Sequence, residues 1–448
     1  MTVADVVRAN ADLYVGWLQD ACAIPSLPDD HDGLKRMASW LEARFVDLGA
    51  EVERLIFAGA PDALLATMGS GDRTVLVYDH YDVQPVDPIE LWVSDPFGPQ
   101  VRDGMLYARG VADNKGDLVA RLAGIHAFQE AHGELPCRIK FLVEGEEETG
   151  SCSFESLVEH HRDRLSADGC IWEGAGVDPA GRGELWMGAK GMAYVELIHR
   201  GLADDQHSAY AVIAPSPVWH LVEAVATLRA PDGRVLIDGF YDDVDPPSDS
   251  DIALLRDFPF DEEAELARLG AEEFVGGVAG EELLRRYFFE PTCNIAGIVA
   301  GFTEIGGAKT VLPREARCKI DMRLVPRQDP DDVVAKLRKH LDARDFTDIE
   351  ITYHGGERPV RSPMDSTIAR AALEAAEGLY PGVVAGPLMI GTGPMYAIAG
   401  SLGIPTCSPA GVCRHDSNIH APNEHISLED FTKVAVYTGA WIDAFARG

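Results

Sequence analysis

RTVLVYDHYDVQP, residues 73–85, reads as a short apolar β run, Val75 to Tyr78, that empties into His80 and Asp82. Around it, helical patterns at 4–22, 32–48 (with Asp30 or Asp32 as cap), 115–132 and 153–165 alternate with β-like RIKFLVE (138–144) and GCIWE (169–173). That alternation predicts a helix-flanked α/β sheet with its ligands beyond the carboxyl ends of the strands.

The middle of the chain changes character. ELWMGAKGMAYVELIHRG (184–201) is β-like, SPVWHLVEAVATLRA (216–230) helical, and PTCNIAGIVAG (291–301) and ARCKIDMRLVP (316–326) are β-like. DPDDVVAKLRKHLDA (329–343) is helical and DIEITYHGG (348–356) β-like again. The order β-α-β-β-α-β predicts a ferredoxin-like α+β layer. A polar stretch, DGFYDDVDPPSDSD (238–251), and an acidic helical stretch near 261–287 interrupt it as surface insertions. Helix and strand alternation then resumes, so the expected organisation is a catalytic α/β domain over 1–188 and 357–448 with a second domain, 189–356, inserted into it.

A chain of 448 residues with 46% hydrophobic and 25% charged content can bury a sizeable core. Its formal net charge of −34 argues against nucleic acid and anionic membranes as partners, because phosphate surfaces need a basic footprint. The opening MTVADVVRANADLY lacks a basic leader ahead of an apolar core, so no secretory signal is expected. No stretch is apolar over the ~18 residues of a membrane span. The eight cysteines are scattered without CxxC or zinc-finger spacing, which predicts reduced thiols in a cytoplasmic protein.

The chemistry-bearing residues gather at predicted strand ends. His80 and Asp82 project to one side of an extended backbone, an arrangement that suits a metal ligand steadied by a carboxylate. Taken alone, the pair is more often ordinary surface hydrogen bonding. Asp113 precedes the 115–132 helix, where a simple N-cap is the bland alternative. KFLVEGEEETGS (140–151) gathers Glu144, Glu146, Glu147 and Glu148 after a strand, Glu173 ends another, and His420 lies in the loop DSNIHAPNE (416–424). Mixed His/Asp/Glu ligation without cysteine suits Zn²⁺ or Mn²⁺ better than Ca²⁺ or Mg²⁺. One carboxylate shared by two cations, with a surplus carboxylate as general base, would make a two-metal hydrolase.

HYDVQP, LWVSDPFGP, DGMLYARGVADNKG, EGEEETGS, KGMAYVEL, DQHSA, IDMRLVP and HAPNE occur in this order between about residues 75 and 425. Together they resemble the co-catalytic dimetal peptidases that include carnosine-type dipeptidases, aminoacylase, acetylornithine deacetylase and succinyl-diaminopimelate desuccinylase, with the dipeptidase branch most similar. The resemblance implies a mixed-sheet metallopeptidase domain and an inserted ferredoxin-like lid and dimerisation domain. It implies two divalent metal ions, zinc foremost with manganese or cobalt as alternatives. His80, Asp113 and Glu173 would bind one ion and Asp113, Glu148 and His420 the other, with Asp113 bridging and a cis peptide to Asn114. Asp82 would orient His80, and Glu147 would be the base acting on the bridging water. The three consecutive glutamates leave the register open by one, and Thr149-Gly150-Ser151 fixes it through the resemblance. Glu146, and with it Glu144, is read as part of a solvated turn.

Alternation along KIDMRLVP puts Arg323 on the face opposite Ile320, Met322 and Leu324; the resemblance makes it the clamp for a substrate carboxylate. His207 resembles a histidine that reaches the other subunit's active site and stabilises an oxyanion, although Ala209 departs from the usual His-Ser-Gly. His354, Thr392 and Gly393 resemble substrate-binding positions. His415 lies five residues before His420 and has no assigned role, and the remaining histidines, His199 and His220 among them, are read as surface or core. The implied activity is hydrolysis of dipeptides or short peptides with a free C-terminal carboxylate by a homodimer; the alternative is an N-acyl-amino-acid deacylase or desuccinylase.

Overall fold

In the computed structural model, which describes residues 1–57 and 59–448, the Val75–Val77 run lies inside a six-stranded mixed sheet. Its strands are β1 (Glu51–Leu55), β2 (Ala63–Met68), β3 (Thr74–His80), β4 (Arg138–Glu144), β5 (Gly169–Ile171) and the short Thr406–Cys407. They lie in the order β1-β2-β4-β3-β5 followed by Thr406–Cys407. β1 and β2 join antiparallel, whereas β3 runs parallel to both β4 and β5. Every residue from Val75 to His80 is buried, as a strand with neighbours on both edges and helices over its faces requires.

The helix Lys115–His132 is buried along most of its length and packs on the closing helix Leu428–Arg447; Leu118, Leu122, Phe431, Val434 and Trp441 share one core. Gly124 permits the close approach, because a Cβ there would sit 2.4 Å from the Ala435 carbonyl oxygen. The pattern at 4–22 forms two helices, Val3–Ala9 and Ala11–Cys22. Asn10 separates them: its backbone, at φ −110° and ψ 18°, leaves the helical range, and its side-chain amide joins its own N–H in donating to the Val6 carbonyl at 3.0 Å. Asp30 caps His31–Asp47 by accepting from Gly33 N at 2.8 Å. The 153–165 pattern also forms two pieces, Phe154–His160 and Arg162–Leu165.

By its internal contacts the chain divides into two units, 1–188 with 361–388 and 394–448, and 189–360 with 389–393. The second unit thus ends at Val360 rather than at the expected 356. It also takes in the short loop that carries Thr392 and Gly393.

The second unit is built on the antiparallel strands β6 (Gly191–Arg200), β7 (Asn294–Ala300), β8 (Glu315–Leu324) and β9 (Glu350–Glu357), in the order β7-β8-β6-β9. Helices Pro217–Ala226 and Pro330–Asp342 complete the β-α-β-β-α-β sequence and contribute Leu221, Ala224, Val333, Leu337 and Leu341 to a core that also holds Val195, Leu197, Ile320 and Met322. The polar insertion is not wholly at the surface. Phe240 is 1% exposed and, with Val235 and Ile237, belongs to this core, so one aromatic anchors a stretch whose composition otherwise points to solvent. The eight cysteines are free, and among the described residues no helix is long and apolar enough to cross a membrane.

Candidate active site

The carboxyl ends of β3, β4 and β5 bring the strand-end residues together. His80 lies opposite Glu144 across the parallel β3–β4 pair. Just beyond β4, Gly145 packs so tightly on the Tyr81 ring that a Cβ would fall 2.4 Å from its Cζ, and the chain then turns through Glu147–Thr149. Asp113 precedes the Lys115–His132 helix, joined to Asn114 by a cis peptide. His420, with φ of 60°, lies in the loop that leads to strand His425–Ser427, which pairs with Met105–Tyr107.

Asp113 is the centre of the cluster. Its Oδ1 lies 2.9 Å from His80 Nε2, and its Oδ2 lies 3.2 Å from His420 Nε2. His420 Nε2 is also 3.2 Å from Glu148 Oε2, which accepts from Gln84 Nε2 at 2.8 Å. Asp82 serves two neighbours at once. Its Oδ1 lies 3.3 Å from His80 Nδ1, while its carboxylate accepts from the backbone N–H of Glu147 at 3.3 Å and of Glu148 at 2.9 Å. One buried aspartate thereby fixes both the histidine ring and the start of the glutamate turn. Glu173 follows β5, and its Oε1 is buried without a hydrogen-bond partner.

Burial and mutual hydrogen bonding shift these groups strongly. Burial alone would raise the Asp113 carboxyl, but hydrogen bonds from His420 and His80 outweigh it and hold the group well below the usual carboxylate range. His420 is pushed up to about 10 by its hydrogen bonds to Asp113 and Glu148. Burial raises Glu147 to about 7, helped by Asp113 and Glu148 and opposed by His80. Burial likewise drives Glu173 well above its ordinary value. Glu144 is not part of a solvated turn as its sequence suggests. It is 3% exposed, accepts from Tyr78 Oη at 2.6 Å and Ser151 Oγ at 2.9 Å, and burial lifts it to about 8. Glu146 is also tied down, accepting from Ser153 N at 2.7 Å.

So dense a set of carboxylate and imidazole donors, with a buried oxygen unpartnered, fits divalent cations. Peptidase family M20/M25/M40 matches residues 76–443, which include every member of the cluster. The chain belongs to this family. It resembles the M20 family metallo-carboxypeptidase of Sulfolobus solfataricus with 36% identity and a TM-score of 0.89, covering 97% of this chain and 99% of that one. Human carnosine dipeptidase 1 is similar at 27% identity and a TM-score of 0.76, over 100% and 99% of the two chains. In sequence, the Beta-Ala-His dipeptidase of Rattus norvegicus is 28% identical over 414 residues, 84% of this chain and 82% of that protein.

Around the cluster, this M20 metallopeptidase carries supports that sequence reading did not single out. Glu424 is buried and accepts from the backbone N–H of Gly110 at 2.9 Å, Ala112 at 2.8 Å and Asp113 at 3.1 Å, while Arg109 Nη1 donates to it at 2.6 Å. It therefore shapes the backbone that presents Asp113. Arg121 donates to Asp79 at 2.5 Å and to the Trp172 carbonyl at 3.1 Å, linking β3 to the segment before Glu173. The available signals were a charged residue inside an apolar strand for Asp79, and the last letter of HAPNE for Glu424.

The other sequence-derived positions belong to the second unit. Arg323 stands opposite the buried face of Ile320, Met322 and Leu324, and its guanidinium donates to Thr392 Oγ1. Gly393 adjoins that threonine. His354 is exposed on β9 with its ring 5.8 Å from Tyr194. His207 is exposed, and its Nδ1 accepts from Ala209 N at 3.1 Å, so the residue that departs from the usual motif steadies the histidine through its backbone. In the first unit, His415 is exposed and lies 3.9 Å from Asp416, the ion pair the structure gives it.

Proposed function

We propose that the chain is a dinuclear metallopeptidase that hydrolyses dipeptides or short peptides bearing a free C-terminal carboxylate. The observation that carries this reading is the disposition of Asp113, whose two carboxylate oxygens each meet a different histidine. A single carboxylate can then serve two cations. His80, Asp113 and Glu173 would hold one, and Asp113, Glu148 and His420 the other. Nitrogen and oxygen donors without thiolate suit zinc first, with manganese or cobalt able to use the same set. When bound, such ions polarise the scissile carbonyl and lower the pKa of water.

The protein's own groups supply the remainder. Glu147 is the proton carrier: it receives a proton as the amide carbon is attacked and delivers it to the leaving amine. Asp82 keeps His80 in one orientation and fixes the Glu147 backbone. The Arg323 guanidinium takes the substrate carboxylate, for which a planar fork is suited, with Thr392, Gly393 and His354 completing substrate recognition. His207 stabilises the oxyanion in a partner copy, within a homodimer formed through the second unit, which serves as lid and dimerisation domain. The free cysteines support a reducing, cytoplasmic setting.

A panel of dipeptides, their C-terminal amides and N-acetyl or N-succinyl amino acids, assayed on zinc-, manganese- and cobalt-loaded protein, tests the proposal. Dipeptides with a free carboxylate should show the highest kcat/KM, and amidation should raise KM sharply. Faster turnover of acylated amino acids would select deacylation instead. No amine release from any member would reject hydrolysis.

A further inference from the structure

Within the second unit, and outside the carboxylate cluster described above, two histidines and an aspartate converge from three separate segments. His199 lies near the end of β6, His220 in the helix Pro217–Ala226, and Asp348 in the connection that precedes β9. Their candidate donor atoms all lie within 4.8 Å of one another. His220 Nε2 is 2.8 Å from Asp348 Oδ1, and His199 Nδ1 is 3.6 Å from Asp348 Oδ2. The two imidazole rings lie 4.3 Å apart between centroids.

We propose that His199, His220 and Asp348 form a third divalent-cation site, of the zinc, cobalt or nickel class. An ion pair between His220 and Asp348 would account for only part of the arrangement. His199 is 7% exposed, yet its Nδ1 is buried with no hydrogen-bond partner, and 3.6 Å is too long for a hydrogen bond to the aspartate. That unpartnered nitrogen faces the carboxylate oxygen left over by His220. A cation between them satisfies both. Metal–ligand bonds of ~2.0–2.2 Å place tetrahedral donors roughly 3.3–3.6 Å apart, inside the range spanned by the three residues.

Two imidazoles and one carboxylate favour a borderline transition metal over calcium or magnesium. Asp348 and His220 are 55% and 30% exposed at their side chains, so the remaining coordination positions open to solvent and would be filled by water. The site would act as a clasp. It would join the end of β6, the helix Pro217–Ala226 and the approach to β9, with ligands 149 residues apart in sequence between His199 and Asp348. The proposal concerns this triad alone and holds whatever substrate the active site takes.

Chelator-stripped full-length protein, titrated with Co²⁺ by calorimetry and assayed for bound cobalt after desalting, provides the test. Asp348→Asn and His220→Asn alter the two more exposed ligands. Each variant should bind one Co²⁺ fewer per chain than the wild type while keeping its kcat on a dipeptide. Equal cobalt content in wild type and both variants would overturn the site. As a check on the unaltered protein, saturating Co²⁺ should shield His220 from carbethoxylation, read by peptide mass spectrometry. Equal modification with and without cobalt would also overturn it.

Discussion

The strand ends of the first unit and the sheet of the second use polar residues in opposite ways. On β8, Ile320, Met322 and Leu324 fill the core while Asp321 and Arg323 take the other face. Charged pairs such as Arg200 with Glu315 and Glu350 lie at one end of the sheet, largely exposed, where solvent screens them and each contributes little. At the ends of β3 to β5, Asp79, His80, Asp82 and Glu144 are buried, along with Arg109, Arg121 and Glu424. Burying so many ionisable groups costs stability unless each is paired, and Glu173 Oε1, Glu144 Oε2 and Asp79 Oδ2 have no hydrogen-bond partner. The chain gives up stability for chemistry at the strand ends of the first unit. Apart from the His199, His220 and Asp348 triad, the second unit follows the ordinary alternation of a half-buried sheet, whereas the first collects at its strand ends charges that make sense around cations.

The largest effect that would break this contrast is on turnover. Glu147→Gln keeps the size and shape of the side chain but removes the proposed proton carrier, so kcat should fall by ~10²–10⁴-fold, the usual contribution of a positioned acid–base group. A kcat within error of the wild type would remove Glu147 from the chemistry.

Next is Glu424→Gln, which leaves the buried Arg109 without its counter-charge. Breaking one side of a buried pair costs about 3–5 kcal/mol, measurable by denaturant unfolding, and should be accompanied by weaker metal retention because the Asp113 backbone loses its anchor. The matching change in the second unit is Met322→Ala. It should cost about 2–5 kcal/mol of stability through the cavity it leaves, with metal content unchanged. If Met322→Ala released metal as readily as Glu424→Gln, the two regions would not differ as described.

The smallest expected effect is that of Arg323→Ala. On the role proposed for Arg323, loss of a charge-assisted carboxylate contact worth about 1.5–3 kcal/mol predicts a roughly 10- to 150-fold lower kcat/KM, mainly through KM. The same change should make little difference to a C-terminally amidated dipeptide. An equal loss on both substrates would show that Arg323 does not read the carboxylate.

Much of this contrast is legible in the sequence, for reasons that vary by region. The β3 run and the Lys115–His132 helix are strongly patterned, and the β-α-β-β-α-β order of the second unit shows through its insertions. The break at Asn10 is less visible, because it lies in the backbone angles of one residue within a continuous helical pattern. Phe240 is masked by its polar neighbours, since composition averages over the stretch and core membership belongs to single residues.

The cluster residues are legible as a set of motifs in order, but their partners are not. Glu144 reads as one more solvated glutamate until Tyr78 and Ser151 are seen to bond it, and Tyr78 lies 66 residues earlier on a strand whose approach no local pattern records. The same holds for Glu424, whose donors lie more than 300 residues earlier in the chain. His199 and His220 read as ordinary surface or core residues, because their convergence with Asp348 depends on how three segments meet.

Metal content per chain in Glu147→Gln and Glu148→Gln tests the proposed division of labour between these adjacent glutamates most directly. Glu147→Gln should carry as much metal as the wild type and lose turnover, whereas Glu148→Gln should carry one ion fewer. Full metal in Glu148→Gln together with a missing ion in Glu147→Gln would contradict the account and exchange the two roles.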